Sequence, residues 1–177
     1  MLTLRPVAVE DREFLIALYA ATRHEELQLA GWDAEAEDRF VRQQFGAQDN
    51  HYREHYPGAT FDLVEVEGRA VGRLYVHRRP TEIRLMDIAL LPEVRGKGIG
   101  SHLIRHLMSE AKCERKTLSI HVEIFNPAQR LYDRLGFVPI EDRGVYRLLQ
   151  WSSSSGIPGG VDALEPQPTV TPSEETP

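Results

Sequence analysis

Hydrophobic and polar positions change period several times along this chain, and each change marks an element. Leu2-Thr3-Leu4-Arg5-Pro6 alternates and ends at proline, which predicts a short first strand at a sheet edge. From Glu10-Asp11 the spacing turns helical. Phe14, Leu15, Leu18, Tyr19 and Thr22 share a face, the pattern runs to about Leu29, and Gly31 ends it. A second helix is expected from Asp33 or Ala34, with Phe40, Val41, Gln44 and Phe45 as its buried stripe. Residues 48–57 are polar, yet His51, Tyr52, His55 and Tyr56 fall three and four apart, on one helical face. Residues 61–66 then alternate as a strand, Glu67-Gly68-Arg69 turns, and 70–77 return, forming an antiparallel hairpin.

A strand over 82–91 follows, with the apolar run Ile88-Ala89-Leu90-Leu91 closed by Pro92. After Arg95-Gly96-Lys97-Gly98-Ile99-Gly100 a helical stripe begins at once: Ile99, Leu103, Ile104, Leu107, Met108, Ala111. Residues 116–124 read as a strand with Leu118, Ile120, Val122 and Ile124 on one side and Ser119, His121 and Glu123 on the other. Asn126-Pro127 opens a short helix whose stripe is Ala128, Leu131, Tyr132 and Leu135, and Gly136 closes it. Strands at 137–140 and 144–151 complete the body, one domain over residues 1–151. From Ser152 the chain turns to serine, glycine, proline and acids, so residues 152–177 are expected to be a disordered tail.

Composition narrows the classes. With 177 residues and 41% hydrophobic content the chain can bury one ordinary core. A net charge of −6 argues against a general nucleic-acid binder, and Asp162, Glu165, Glu174 and Glu175 in the tail account for much of it. The lone Cys113 excludes an internal disulfide and a multi-cysteine metal site. His51 and His55 at i, i+4 lack an acidic or cysteine partner at matching spacing, so no metal is expected. The N-terminus lacks a signal-peptide pattern and no apolar run reaches membrane-spanning length, so a soluble cytoplasmic protein is expected, monomeric or homodimeric.

The chemistry concentrates at the glycine-rich turn. A strand, a basic turn and a helix start together suit phosphate: glycines let backbone N–H groups converge on an anion, and the helix adds its positive end. Arg95 and Lys97 add full charges. A nucleoside-triphosphate loop is excluded because Lys97 lies between glycines and Ser101 follows Gly100, so no Gly-Lys-Ser/Thr forms. A dinucleotide fingerprint would need a different glycine spacing near the start of a doubly wound sheet. A methyltransferase tolerates the spacing, but too little chain follows residue 100 to complete its sheet.

The remaining pattern, DIALLPEVRGKGIGSHLIRHLM followed by NPAQRLYDRLGFVPIED, resembles the GNAT superfamily of acyl-CoA-dependent N-acetyltransferases over about residues 2–151. The resemblance implies an α/β fold: a mixed, mostly antiparallel twisted sheet with helices on both faces and a V-shaped split between two central parallel strands. It implies acetyl-CoA as donor cosubstrate and an amine of a small molecule, peptide or protein as acceptor. The backbone of Ile88, Ala89, Leu90 and Leu91 would hold the pantetheine arm, with an N–H near Leu90 facing the thioester oxygen. Arg95, Gly96, Lys97, Gly98, Ile99, Gly100 and Ser101 would hold the pyrophosphate. Asn126 would lie near the pantetheine, cap its helix, or both.

Tyr132 matches the family's tyrosine that protonates the leaving thiolate; a packing role in its stripe is the alternative. His121 lies five residues before Asn126, where some members carry a glutamate base, and Glu123 could orient it or act alone. A water chain to Asp87 or Glu82 is a further route. Other members place bases where this chain has Arg84 and Met86, which cannot serve. Direct attack in a ternary complex needs no enzyme nucleophile. The acceptor site falls to the first helices and the hairpin, where Trp32, His51, Tyr52, His55 and Tyr56 would give it an aromatic wall, unless the tyrosines only pack and the histidines are solvated. Two other readings stand beside this one: a non-catalytic acyl-CoA-binding module of the same fold, and a tail that tethers the domain to a basic partner.

Overall fold

The computed structural model describes residues 1–153; the predicted tail from 154 onward lies outside the described residues. Seven strands form one sheet in the order β1-β2-β3-β4-β5-β7-β6. They are β1 (Leu2–Pro6), β2 (Thr60–Val66), β3 (Arg69–Arg78), β4 (Glu82–Leu90), β5 (Thr117–Glu123), β6 (Val138–Arg143) and β7 (Tyr146–Trp151). All neighbours are antiparallel except the central β4–β5 pair. The proline-bearing strands β1 and β6 take the two edges, where a missing N–H costs no ladder bond.

Helices cover both faces. On one side Leu103, Ile104, Leu107 and Ala111 of α4 (Ile99–Glu114) pack with Ile83, Leu85, Leu118 and Ile120. On the other, Leu15, Ile16 and Tyr19 of α1 (Arg12–Thr22) form a second core with Leu27 of α2 (His24–Ala30), Val41 and Phe45 of α3 (Ala34–His55), and Leu63. The spacing predicted one helix from Glu10 to Leu29; the structure breaks it at Arg23. The Thr22 hydroxyl donates back to the Tyr19 carbonyl at 2.7 Å, a bond that bends helices at their ends. Conversely, the two helical stretches expected across 34–57 are one helix. Asp33 caps it, accepting from the Ala36 N–H at 2.8 Å.

The parallel pair is brief. β4 and β5 pair only from Glu82↔Thr117 to Leu85↔Ile120, then part. At that point Val76 faces Leu85 while Tyr75 faces Asp87, which leaves Met86 as an extra residue in β4. This bulge bends β4 and shifts its alternation by one. Ile83 and Leu85 before it, and Ile88 and Leu90 after it, therefore all reach the α4 core. No helix among the described residues is long and apolar enough to cross a membrane.

Gly72 holds the far half of β4 in place. A Cβ there would lie 2.3 Å from the Ala89 carbonyl oxygen and 2.6 Å from Leu90 Cδ2. Gly72→Ala is therefore expected to destabilise the fold by about 1–3 kcal/mol through overpacking. The midpoint of chemical denaturation checks this, and an unchanged midpoint would refute the close approach.

Candidate functional site

A cleft of about 270 Å³ opens where β4 and β5 part. Arg84–Ala89 line one wall and Ile120–Glu123 the other. Asn126 and Tyr132 also line it, as do Tyr19 and Arg23 of the α1–α2 break and Gln48, Tyr52 and Tyr56 at the end of α3. The split thus brings together Ile88, Ala89, His121, Glu123, Asn126 and Tyr132, all singled out from the sequence.

The end of β4 presents its backbone to this opening. The Leu91 N–H donates to the Val71 carbonyl at 2.8 Å. In an antiparallel ladder bonding then alternates, so Ala89 bonds to β3 while the polar groups of Ile88 and Leu90 turn the other way, into the gap. Arg95 responds to this: its Nε donates to the Leu90 carbonyl at 2.8 Å and its Nη2 to the Ala21 carbonyl at 3.4 Å. Its guanidinium thus lies across the end of β4.

The glycine turn is built as an open cradle. Gly96 and Gly98 have φ of 73° and 85°, the left-handed region, and a Cβ on either would meet nothing within 4 Å. Gly98 caps α4, and the first helical bond runs from the His102 N–H to the Gly98 carbonyl at 2.9 Å. The N–H groups of Ile99, Gly100 and Ser101 therefore have no partner one turn back within the helix. A Cβ on Gly100 would lie 3.8 Å from Leu131 and 3.9 Å from Leu90, so the turn sits against both α5 (Gln129–Arg134) and β4.

Tyr132 is fixed by the way its helix ends. Gly136 takes φ 86°; its N–H reaches the Asp133 carbonyl at 3.0 Å and the Phe137 N–H reaches the Tyr132 carbonyl at 3.1 Å. This is the double bond pattern of a glycine-terminated helix, and its usual apolar contact is the Tyr132–Phe137 edge-to-face pair at 5.5 Å. The phenol is 3% exposed, and burial, then the charge of Asp87, push its pKa up. Asn126, the predicted cap, lies two residues ahead of the actual one, Ala128: its Oδ1 accepts from the Ala128 N–H at 2.9 Å, and the helix proper begins at Gln129.

Two buried arginines line the cleft. Arg73, 3% exposed, makes a bidentate pair with Asp87 at 3.1 and 2.7 Å and donates to Gln48 Oε1 at 3.0 Å. Arg84, 8% exposed, reaches Glu82 at 3.1 and 2.9 Å, Ser119 Oγ at 2.7 Å and His121 Nδ1 at 3.2 Å. Burial, then the positive charges of Arg84 and Arg143, push the His121 pKa down to about 4. Glu123 lies at the rim, contacted by the Tyr146 hydroxyl at 3.4 Å. Beside it, the Arg23 guanidinium sits 5.3 Å over the Tyr19 ring and pairs with Glu26 at 2.8 Å.

A family model for the acetyltransferase (GNAT) family matches residues 17–137. The chain belongs to that family. Within it, the chain is 28% identical over 116 residues to a [ribosomal protein bS18]-alanine N-acetyltransferase of Haemophilus influenzae, covering 65% of this chain and 77% of that protein. It is 32% identical over 84 residues to a 5-NmdU N-acetyltransferase of Pseudomonas phage PaMx11, covering 46% and 59%. Its fold is similar to that of PaiA N-acetyltransferase from Thermoplasma acidophilum, solved in complex with coenzyme A, with a TM-score of 0.64 at 16% identity over 86% of this chain and 99% of that one.

Of the aromatic wall expected for a GNAT acceptor site, Tyr52 and Tyr56 line the cleft. His51 and His55 stack on each other at 4.2 Å and are not among its lining residues, and Trp32 packs on Phe40 at 4.8 Å instead. Arg73, Gln48, Tyr19, Arg23, Glu26 and Tyr146 were not singled out from the sequence. Arg73 carried the one available signal, a charge within an otherwise apolar returning strand. Asp87→Ala would leave Arg73 buried without its carboxylate, which is expected to cost about 3–5 kcal/mol. Denaturant unfolding checks this; a loss below about 1 kcal/mol, the scale of an exposed pair, would show the pair to be solvent-screened.

Proposed function

We propose that this chain transfers the acetyl group of acetyl-CoA to a primary amine by direct attack in a ternary complex, with Tyr132 as general acid. The observation that carries this reading is the parting of β4 from β5, which opens a cleft lined by Ile88, Ala89 and a buried phenol, with an open glycine cradle just beyond the end of β4. The N-acetyltransferase names of the relatives and the coenzyme A in the similar structure support it.

Acetyl-CoA supplies the acyl group already activated as a thioester. The residues here fit it: the Gly96–Ser101 cradle and Lys97 would take the pyrophosphate, the backbone of Ile88–Leu91 and Asn126 the pantetheine arm, and the Leu90 N–H the thioester oxygen. Arg95 would exchange its bond to the Leu90 carbonyl for one to phosphate. Burial near Asp87 keeps Tyr132 neutral, so its phenol has a proton to offer as the C–S bond breaks, although the same burial makes it a weaker acid than an ordinary tyrosine. The acceptor arrives as an ammonium and must lose a proton. Asp87 is held by Arg73 and Glu26 by Arg23, so the carboxylate suited to accept it is Glu123 at the rim. The acceptor class follows the relatives only as far as an amine, since one is named for a protein alanine and the other for 5-NmdU.

Tyr132→Phe is expected to lower kcat by about 10²–10⁴-fold, the range of a general acid, with the Kd for acetyl-CoA nearly unchanged. Thiol-release kinetics on an amine panel, with product masses, check this, and full turnover would remove Tyr132 as the acid. Gly98→Val should weaken coenzyme A binding by more than about tenfold. It puts a side chain into the cradle at a φ that costs an L residue about 1–2 kcal/mol. Calorimetric titration decides, with circular dichroism to show that the fold is kept.

A further inference from the structure

We infer that His121 serves this site as a neutral hydrogen-bond donor, held in its Nε2–H form by Arg84, which acts as a positioning residue. The role rests on the cleft being the acetyl-transfer site; the tautomer does not. A guanidinium carries five N–H groups and no acceptor. Arg84 Nη1 lies 3.2 Å from His121 Nδ1, so Nδ1 must offer its lone pair. A neutral imidazole has one N–H, and it is left on Nε2.

Arg84 is held so that it cannot yield this position cheaply. Its Nε donates to Ser119 Oγ at 2.7 Å, and its Nε and Nη2 reach Glu82 Oε1 at 3.1 and 2.9 Å. Ser119 is fully buried and its hydroxyl also donates to Glu82. A carboxylate behind an imidazole makes a base, because it stabilises the imidazolium; here a guanidinium stands in that place and penalises it. The other charges that bear on the ring divide. Arg143 of β6 acts with Arg84, while Glu82 of β4 and Glu141 of β6 oppose them, and burial adds to the two arginines. On β7 the residue opposite His121 is the apolar Leu148. His121 lines the cleft with its Nε2 buried, so it can donate to an oxygen only where one packs against the ring, and with Nδ1 engaged by Arg84 it cannot take the proton of an ammonium.

The test reads the ring directly. Two-bond proton–nitrogen correlations are recorded on the ¹⁵N-labelled full chain without substrate, with His121 assigned through His121→Gln. The titration spans about pH 5–9, where a histidine of ordinary pKa near 6.5 changes charge. We expect one Nε2–H tautomer with no charge change in that range, and in Arg84→Met a titration moved up toward the ordinary value. A wild-type His121 protonated on Nδ1, or charging in the ordinary range, overturns the inference, and the wild-type spectrum decides even if Arg84→Met fails to fold. Because no substrate is present, a failed acetyl-transfer assignment leaves this result standing. Kinetically, His121→Gln, whose amide still donates, should exceed His121→Leu in kcat by about tenfold, the weight of one hydrogen bond. It should also keep the acid limb of the pH–rate profile; loss of that limb in His121→Gln overturns the donor role.

Discussion

Everything at this site depends on two neighbouring strands that stop pairing. A buried strand ordinarily spends its N–H and C=O groups on both sides. Past Leu85 and Ile120 the β4–β5 ladder ends, and the polar edge of Ile88 and Leu90 faces an opening inside the sheet. One inserted residue, Met86, does this by bending β4 away while keeping its apolar side chains on the α4 core. The local irregularity leaves packing intact and leaves one stretch of strand edge without a strand partner, its Leu90 carbonyl met by Arg95 instead.

Two arginines are buried beside this opening. Arg73 and Arg84 lie on strands paired on both sides, and each is neutralised where it lies, by Asp87 and by Glu82. Buried pairs of this kind add little net stability over apolar packing, since desolvation offsets attraction. They fix the direction of hydrogen bonds, and here those directions converge on the cleft wall.

What the sequence allowed to be read divides along physical lines. Among the described residues, alternation located the strands that bury one face, while β4 was found from its apolar run and β6, which buries no residue, from the glycine and proline around it. The glycine turn and the Tyr132–Gly136–Phe137 helix end were legible because each rests on neighbours in the chain. The break at Arg23 was not, since it turns on one hydroxyl bond from Thr22. Nor was the Arg84–His121 contact: the two residues lie 37 apart in the chain, and only the parallel register Arg84↔Ser119 makes them adjacent. The family resemblance placed His121 where some members carry a base, and the Arg84 guanidinium that stands behind it could not be read from the sequence.

The sheet also separates two cores. The glycine cradle, Leu90 and the Tyr132 helix end rest on the α4 side, while Tyr19 belongs to the core built by α1–α3, whose helices also supply Arg23, Gln48, Tyr52 and Tyr56 to the cleft. Asp87 joins the two sides, since it is held by Arg73 and its charge also bears on Tyr132. A substitution on the α1–α3 wall that moves Asp87 therefore reaches the phenol across the cleft, so the two walls of this opening are tuned together.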